Sequence, residues 1–254
     1  MEIAPLTFVA LIAAGVLGGV VSVLVSLASL VTYPALLLAG LPPLAANVSN
    51  TVALTFTSLG ATLGGRPELV GQRPTLVRLG AVAVLGGATG AVILLVLPAR
   101  SFELVVPFLV AGAAILILVQ PWLQRRERFQ PRGITPVTAA AYFATATYIG
   151  YFGAAGGVIA IVTLAAIIDR PLTHLNAAKA VLSGLANGAA AAGFILFGPV
   201  HWAYVVPLAI GLFAGSYIGP ALARRLPTAV FRGLIGVCGL GMAAVLAWRA
   251  YSPG

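Results

Sequence analysis

The 254-residue chain has little charge: Asp, Glu, Lys and Arg together make up 7% of it, and only five residues are acidic. Ordinary soluble domains carry about 25% charged residues, so this chain cannot cover the surface of a water-soluble globule, and that class is excluded. Cys238 is the only cysteine, which excludes an internal disulfide framework. The acids Glu2, Glu68, Glu103, Glu127 and Asp169 all fall at or near the ends of apolar runs. No carboxylate pair inside a membrane therefore points to general acid/base work or a proton relay. His174 and His201 stand alone, without metal-ligand spacing. The glycines at 153, 156 and 157 lack the strand and βαβ setting of a dinucleotide fingerprint, and there is no P-loop. An enzyme driven by ATP or redox chemistry is disfavoured, and neither cofactor nor metal is expected.

What the chain has in abundance is apolar sequence, 61% hydrophobic with a mean hydropathy of +1.09. This reads as an all-α polytopic membrane protein. The 14 basic residues against five acids do not indicate nucleic-acid binding, because the arginines sit between apolar runs and not on a basic, aromatic-interleaved face. They are expected to hold loops against anionic lipid. With Glu2 and no Lys or Arg before the apolar run from Pro5, the N-terminus does not read as a cleaved signal peptide, and the first segment is expected to stay.

Apolar runs of spanning length fall at 5–39, 44–64, 75–97 and 102–123, and again at 134–168, 176–197, 202–222 and 229–250. They divide the chain into a first transmembrane repeat over 1–123, a cytoplasmic linker over 124–133 and a second repeat over 134–254. The first run of each half covers 35 residues, too many for one crossing and suited to a helical hairpin or a broken re-entrant pair. Small residues sit near the middle of each, at Ser26, Ala28 and Ser29 and at Gly153 to Gly157.

If each long run returns to the side it started from, the arginines sort strongly. Arg66, Arg73, Arg78, Arg125, Arg126, Arg128, Arg132, Arg170, Arg224, Arg225 and Arg232 share one side, leaving only Arg100 and Arg249 opposite. Both termini then lie outside, and the second half is an inverted copy of the first, with about five transmembrane or re-entrant helices in each. An offset of 129 residues lays Asn47 on Asn176, Gly64 on Gly193, Gly86 on Gly215, Gly90 on Gly219, Leu97-Pro98 on Leu226-Pro227, Phe102 on Phe231 and Gly112 on Gly241.

Polar groups inside hydrocarbon are costly, so those within spanning runs are the candidates for a site. Asn176, Lys179, Ser183 and Asn187 recur at helical spacing and form one stripe. Its counterpart carries Asn47, Asn50, Thr51, Thr55 and Ser58. Lys179, the only lysine, reads either as a side chain that snorkels to the interface or as the cation for an anionic substrate. The asparagines read either as interhelical glue or as substrate contacts. The bends at Ser26–Ser29 and Gly153–Gly157 either pack closely or present backbone amides to a ligand.

The stretch from Tyr33-Pro34-Ala35-Leu36 through Gly40-Leu41-Pro42-Pro43 to Ala46-Asn47-Val48-Ser49-Asn50-Thr51 has a counterpart in the second half. That counterpart runs from Gly153-Ala154-Ala155-Gly156-Gly157 through Asp169-Arg170-Pro171 to Asn176-Ala177-Ala178-Lys179. Together they resemble the sulfite exporter TauE/SafE family of membrane permeases, over essentially the whole chain. The resemblance implies movement of sulfur oxyanions or organosulfonates across the bacterial cytoplasmic membrane. One departure is that Ser26-Leu27-Ala28-Ser29 stands where the family commonly has a first-half glycine cluster.

Residues and resemblance agree on a small-anion secondary transporter that works as an exporter by alternating access. The expected site lies at the midplane between Asn47, Asn50, Asn176 and Lys179, with Thr51, Ser183 and Asn187 beside them and Ser26, Ser29, Gly156 and Gly157 at the bends. Membrane potential alone supplies about 2.3 kcal/mol per charge per 100 mV. The expected partners are the sulfur-containing anion and the lipid bilayer; coupling ion and oligomeric state, a homodimer included, stay open. The alternatives are a non-transporting membrane subunit that anchors a partner protein, and a lipid-acting enzyme, for which no acid, base or metal set is apparent.

Overall fold

The computed structural model describes residues 3–126, 131–223 and 228–252. Arg128, Arg224, Arg225 and the Leu226-Pro227 pair lie outside the described residues. Among the described residues there are ten α-helices and no strand. The first five are α1 (Pro5–Val25), α2 (Ser29–Leu38), α3 (Pro43–Gly64), α4 (Arg73–Val96) and α5 (Ala99–Arg126). The second five are α6 (Pro136–Tyr151), α7 (Gly156–Ala165), α8 (Leu172–Phe197), α9 (Trp202–Ala223) and α10 (Thr228–Tyr251). Proline starts several of them, at Pro5, Pro43 and Pro136, where its missing N–H costs nothing. The Thr135 hydroxyl caps α6 by accepting from the Thr138 amide at 3.2 Å.

Each over-long apolar run breaks in two. Ser26, at φ 63°, ends α1, and Ala155, at φ 58°, precedes α7. These two left-handed residues stand at equivalent positions under the 129-residue offset. A side chain in that conformation costs about 1–2 kcal/mol, so surrounding packing must hold both breaks. The short arms α2 and α7 have 10 residues each, about 15 Å of helix, half of a bilayer core.

The packing follows the same 129-residue correspondence. Glycines bring α1 against α9, Gly15 meeting Leu208 and Gly211, and Gly19 meeting Leu212 and Gly215. In the same way α4 meets α6, with Gly86 on Phe143 and Ala146 and Gly90 on Thr147 and Tyr151. In both pairs residue numbers rise together, so the helices run parallel. Equivalent helices instead run antiparallel. Along α3 and α8, Gly65 lies by Ala177, Ser58 by Gly184 and Val48 by Gly198. Along α5 and α10, Arg100 donates to the Ala250 carbonyl at 2.7 Å and Gly236 meets Leu118.

These contacts define two faces. On the terminal face, α1 begins, the α2–α3, α4–α5 and α8–α9 turns lie, and α10 ends. On the linker face lie the α3–α4 loop, the segment joining α5 to α6, and the α7–α8 turn, with the Arg132 amide donating to the Ala166 carbonyl at 2.9 Å. The α1–α2 pair thus leaves from the terminal face and returns to it, as α6–α7 does for the linker face. Arg66, Arg73, Arg78, Arg132, Arg170 and Arg232 fall toward the linker face, Arg100 and Arg249 at the terminal face.

Among the described residues, six helices are long and apolar enough to cross a membrane: α1, α4, α5, α8, α9 and α10. Leu6, Val96, Phe197, Val237 and Trp248 are among many large apolar side chains left exposed on their outer sides, a surface suited to lipid and not to water. The helix α3, buried along residues 45–54 but exposed at Phe56, Leu59 and Leu63, packs on α8 and α9.

Candidate functional site

Lys179 lies seven residues into α8 and is 7% exposed. Its Nζ donates to the Ser26 hydroxyl at 2.6 Å and to the Ser22 carbonyl at 3.5 Å. The left-handed turn at Ser26 ends α1 here, so the ammonium also faces the carbonyl end of a helix, which favours a cation. An ammonium has three N–H donors, and two have protein partners, leaving one. The only ion pair among the described residues is the exposed Arg100–Glu103 contact at 3.2 Å. Lys179 is thus held in place without a counter-charge. It does not snorkel to the interface; it turns across to the α1 break.

Beside it is a cavity of about 520 Å³. Its mouth, at Gly64, Gly65, Glu68 and Thr173, is toward the linker face; its wall includes Ser22, Ser26, Ser29, Asn176, Lys179 and Gly157; deeper in are Leu54, Thr57, Ser183 and Asn187. Of the residues expected at the site, Asn176, Ser183, Asn187, Ser26, Ser29 and Gly157 share the cavity with Lys179, joined by Ser58 of the first-half stripe. Gly157 lets α7 approach the α1 break, since a Cβ there would lie 2.9 Å from both Ser26 Cβ and its carbonyl oxygen. Gly156 is instead a packing residue against Ile149, whose Cγ1 a Cβ would meet at 2.5 Å.

Asn47, Asn50 and Thr51 are fully buried but do not line this cavity. The Asn47 amide donates to the Tyr151 carbonyl at 2.9 Å, the Asn50 amide oxygen accepts from the Thr32 hydroxyl at 2.6 Å, and the Thr51 hydroxyl donates to the Asn47 carbonyl at 3.0 Å. Tyr151 is the 129-offset partner of Ser22, so Asn47 ties α3 to the end of α6 much as Lys179 ties α8 to the end of α1. Because α3 and α8 are antiparallel, this first-half cluster sits toward the opposite end of the pair. There Tyr33, Phe102, Tyr151 and Phe152 form an aromatic cluster, with Tyr33–Phe152 centroids 5.6 Å apart and Phe102–Phe152 5.9 Å. Phe194, at the position equivalent to Gly65, is also buried on this side. The four residues expected to converge at a midplane are therefore divided: Asn176 and Lys179 at the cavity, Asn47 and Asn50 in the packed end. A second cavity, about 420 Å³, opens between the α2–α3 turn, Arg100, Glu103 and Arg249 at the terminal face.

Thr57 and Glu68 line the first cavity although sequence reasoning passed over both. Thr57 stands seven residues after Asn50, two helical turns along one face, which was the available signal. Nothing in the sequence distinguished Glu68 from an ordinary loop acid.

The model of the sulfite exporter TauE/SafE family matches residues 11–246. The chain belongs to this family. As a TauE/SafE member it is a multi-pass membrane transporter and not an enzyme. Similar curated proteins include the probable membrane transporter protein YfcA of Escherichia coli strain K12, 24% identical over 250 residues, covering 98% of this chain and 93% of that one. The probable membrane transporter protein ORF9 of a Sinorhizobium species is 26% identical over 220 residues, covering 84% and 82%. A probable membrane transporter protein of Haemophilus influenzae is 24% identical over 220 residues, covering 86% of each. No solved structure matches the chain significantly.

Proposed function

We propose that this protein exports a small sulfur-containing anion, sulfite or an organosulfonate, across the cytoplasmic membrane by alternating access. The observation that carries the reading is Lys179: an enclosed ammonium on a cavity wall, with no carboxylate paired to it and with one N–H left for a ligand. A buried cation without a counter-charge is costly, and an anionic substrate relieves that cost when it binds. Asn176, on the same wall one turn before Lys179, is placed to add a hydrogen bond to it.

Two inverted halves, residues 1–123 and 134–254 joined by a linker over 124–133, provide the moving parts in this proposal. Its supports are the antiparallel course of α3 with α8 and of α5 with α10, the paired breaks at Ser26 and Ala155, and the matched α1–α9 and α4–α6 contacts. The arginine-rich linker face is taken as cytoplasmic and both termini as external. The conformation described is then inward-open, with the aromatic cluster closing the other side. Rocking the halves exchanges these roles, and Asn47 and Asn50 become the wall of the outward-facing cavity. Export of an anion from a negative-inside cell needs no further coupling.

Proteoliposomes loaded with sulfite, thiosulfate, sulfoacetate, 2-hydroxyethanesulfonate or taurine test this reading. Flux of at least one sulfur anion, accelerated by membrane potential, is the expected result; absence of flux for the whole panel defeats the reading and favours a non-transporting subunit. Cysteine labelling of position 131 from the cytoplasmic side, in a Cys238→Ser background, tests the orientation, and external labelling there reverses it.

A further inference from the structure

The cavity beside Lys179 has two chemically different ends. The end at Lys179, Ser26 and the Ser22 carbonyl holds a positive charge. Further in, Ser183 and Asn187 follow Lys179 at intervals of four residues on α8, about 6 Å and 12 Å along its axis. Ser58 of α3 lies against Gly184, and α3 and α8 are antiparallel, which sets the preceding residue, Thr57, level with the stretch between Ser183 and Asn187. All three line the same cavity. Thr57 is 4% and Asn187 7% exposed. Thr57 Oγ1, Ser183 Oγ and Asn187 Oδ1 are each enclosed without a hydrogen-bond partner among the described residues. Buried polar atoms are nearly always satisfied once water and ligands are counted, so these three oxygens deep in the cavity, with Glu68 Oε2 a fourth nearer its mouth, mark where water or a bound ligand meets the wall.

Their chemistry restricts what that is. Asn187 Oδ1 can only accept, while the two hydroxyls can accept or donate. The group that satisfies all three must therefore bring at least one N–H or O–H. None of the three is charged, so this end does not itself recognise an anion. Leu54 and Ala180 line the cavity with them and offer apolar wall to a short carbon chain. A bare tetrahedral oxyanion held by Lys179 is too small to reach Asn187.

We propose that Thr57, Ser183 and Asn187 form a tail subsite, selecting an organic anion whose short chain ends in a hydroxyl or amino group over a bare oxyanion. The proposal rests on Lys179 holding the anionic head. Titration calorimetry on the purified full-length protein in detergent tests it with 2-hydroxyethanesulfonate, ethanesulfonate and sulfite. The wild type should bind 2-hydroxyethanesulfonate about three- to tenfold more tightly than ethanesulfonate, the effect of one neutral hydrogen bond, and sulfite should be the weakest. Thr57→Val, which keeps the shape of the side chain, should bring that ratio to about one while leaving ethanesulfonate binding unchanged. Ser183→Ala, at a second position on the same wall, should lower the ratio in the same direction. Equal binding of the two sulfonates by the wild type, or a preference that survives both substitutions, overturns the tail subsite. If the anions bind without discrimination and Lys179→Gln abolishes binding, only the tail subsite falls; if none of the three binds, the anion site falls with it.

Discussion

An alanine at position 90 strikes the packing that holds the two halves together. A Cβ there would fall 2.1 Å from the Thr147 carbonyl oxygen and 2.6 Å from the Tyr151 amide nitrogen. Both are backbone atoms, so no change of rotamer relieves the clash. Reaching an ordinary contact of 3.4 Å requires α4 and α6 to separate by about 1.3 Å locally. Overpacking of this kind costs about 1–3 kcal/mol. At about 2–4 °C per kcal/mol for a chain of this size, Gly90→Ala should lower the unfolding temperature by roughly 2–12 °C. The equivalent Gly219 meets only the Val23 side chain, Cγ2 at 2.7 Å and Cβ at 2.9 Å, which is less close than the backbone contacts at Gly90, so Gly219→Ala should be milder. Gly188 has nothing within 4 Å, and alanine there gains helix propensity worth up to about 1 kcal/mol. Thermal unfolding of the three variants in one detergent, followed by intrinsic fluorescence, measures the series. Gly90→Ala unfolding together with the wild type, or Gly188→Ala losing as much as Gly90→Ala, refutes the reasoning.

Two further outcomes separate structural from substrate roles. Asn47→Ala removes the bond to the Tyr151 carbonyl, worth about 1 kcal/mol between membrane helices; the unfolding temperature should fall by about 2–4 °C, while anion binding at the Lys179 cavity stays unchanged, both read on one preparation. Ala155→Gly relieves a left-handed alanine at φ 58° at the cost of a more flexible unfolded chain. The net gain is a few tenths to about 1 kcal/mol, so the variant should unfold slightly later than the wild type in the same assay.

The sequence revealed the architecture through what membranes forbid. Two 35-residue apolar runs could not each be one helix, and both break where small residues cluster, at Ser26 and Ala155. The polar stripe of α8 was legible for the same reason: Asn176, Lys179, Ser183 and Asn187 interrupt hydrocarbon at helical spacing, and all four line one cavity. What could not be read was how α3 and α8 meet. Equivalent residues of an antiparallel pair lie at opposite ends, so Asn47 and Asn50 go to the packed aromatic end while their counterparts go to the cavity. Under the proposed alternating access, which end is open depends on the conformational state, and that leaves no mark in spacing. Thr57 and Glu68 were missed because a threonine in a helix and an acid in a loop are ordinary until tertiary packing puts a cavity beside them.

The role of Lys179 as the anion's partner is measured most directly by comparing anion binding to the wild type and to Lys179→Gln, with equal unfolding temperatures as the check on folding. A charge-assisted hydrogen bond is worth about 1.5–3 kcal/mol, so Lys179→Gln should bind sulfite or 2-hydroxyethanesulfonate about 10- to 150-fold more weakly. Unchanged affinity in a folded Lys179→Gln protein would contradict the account and leave Lys179 as a cap on the end of α1.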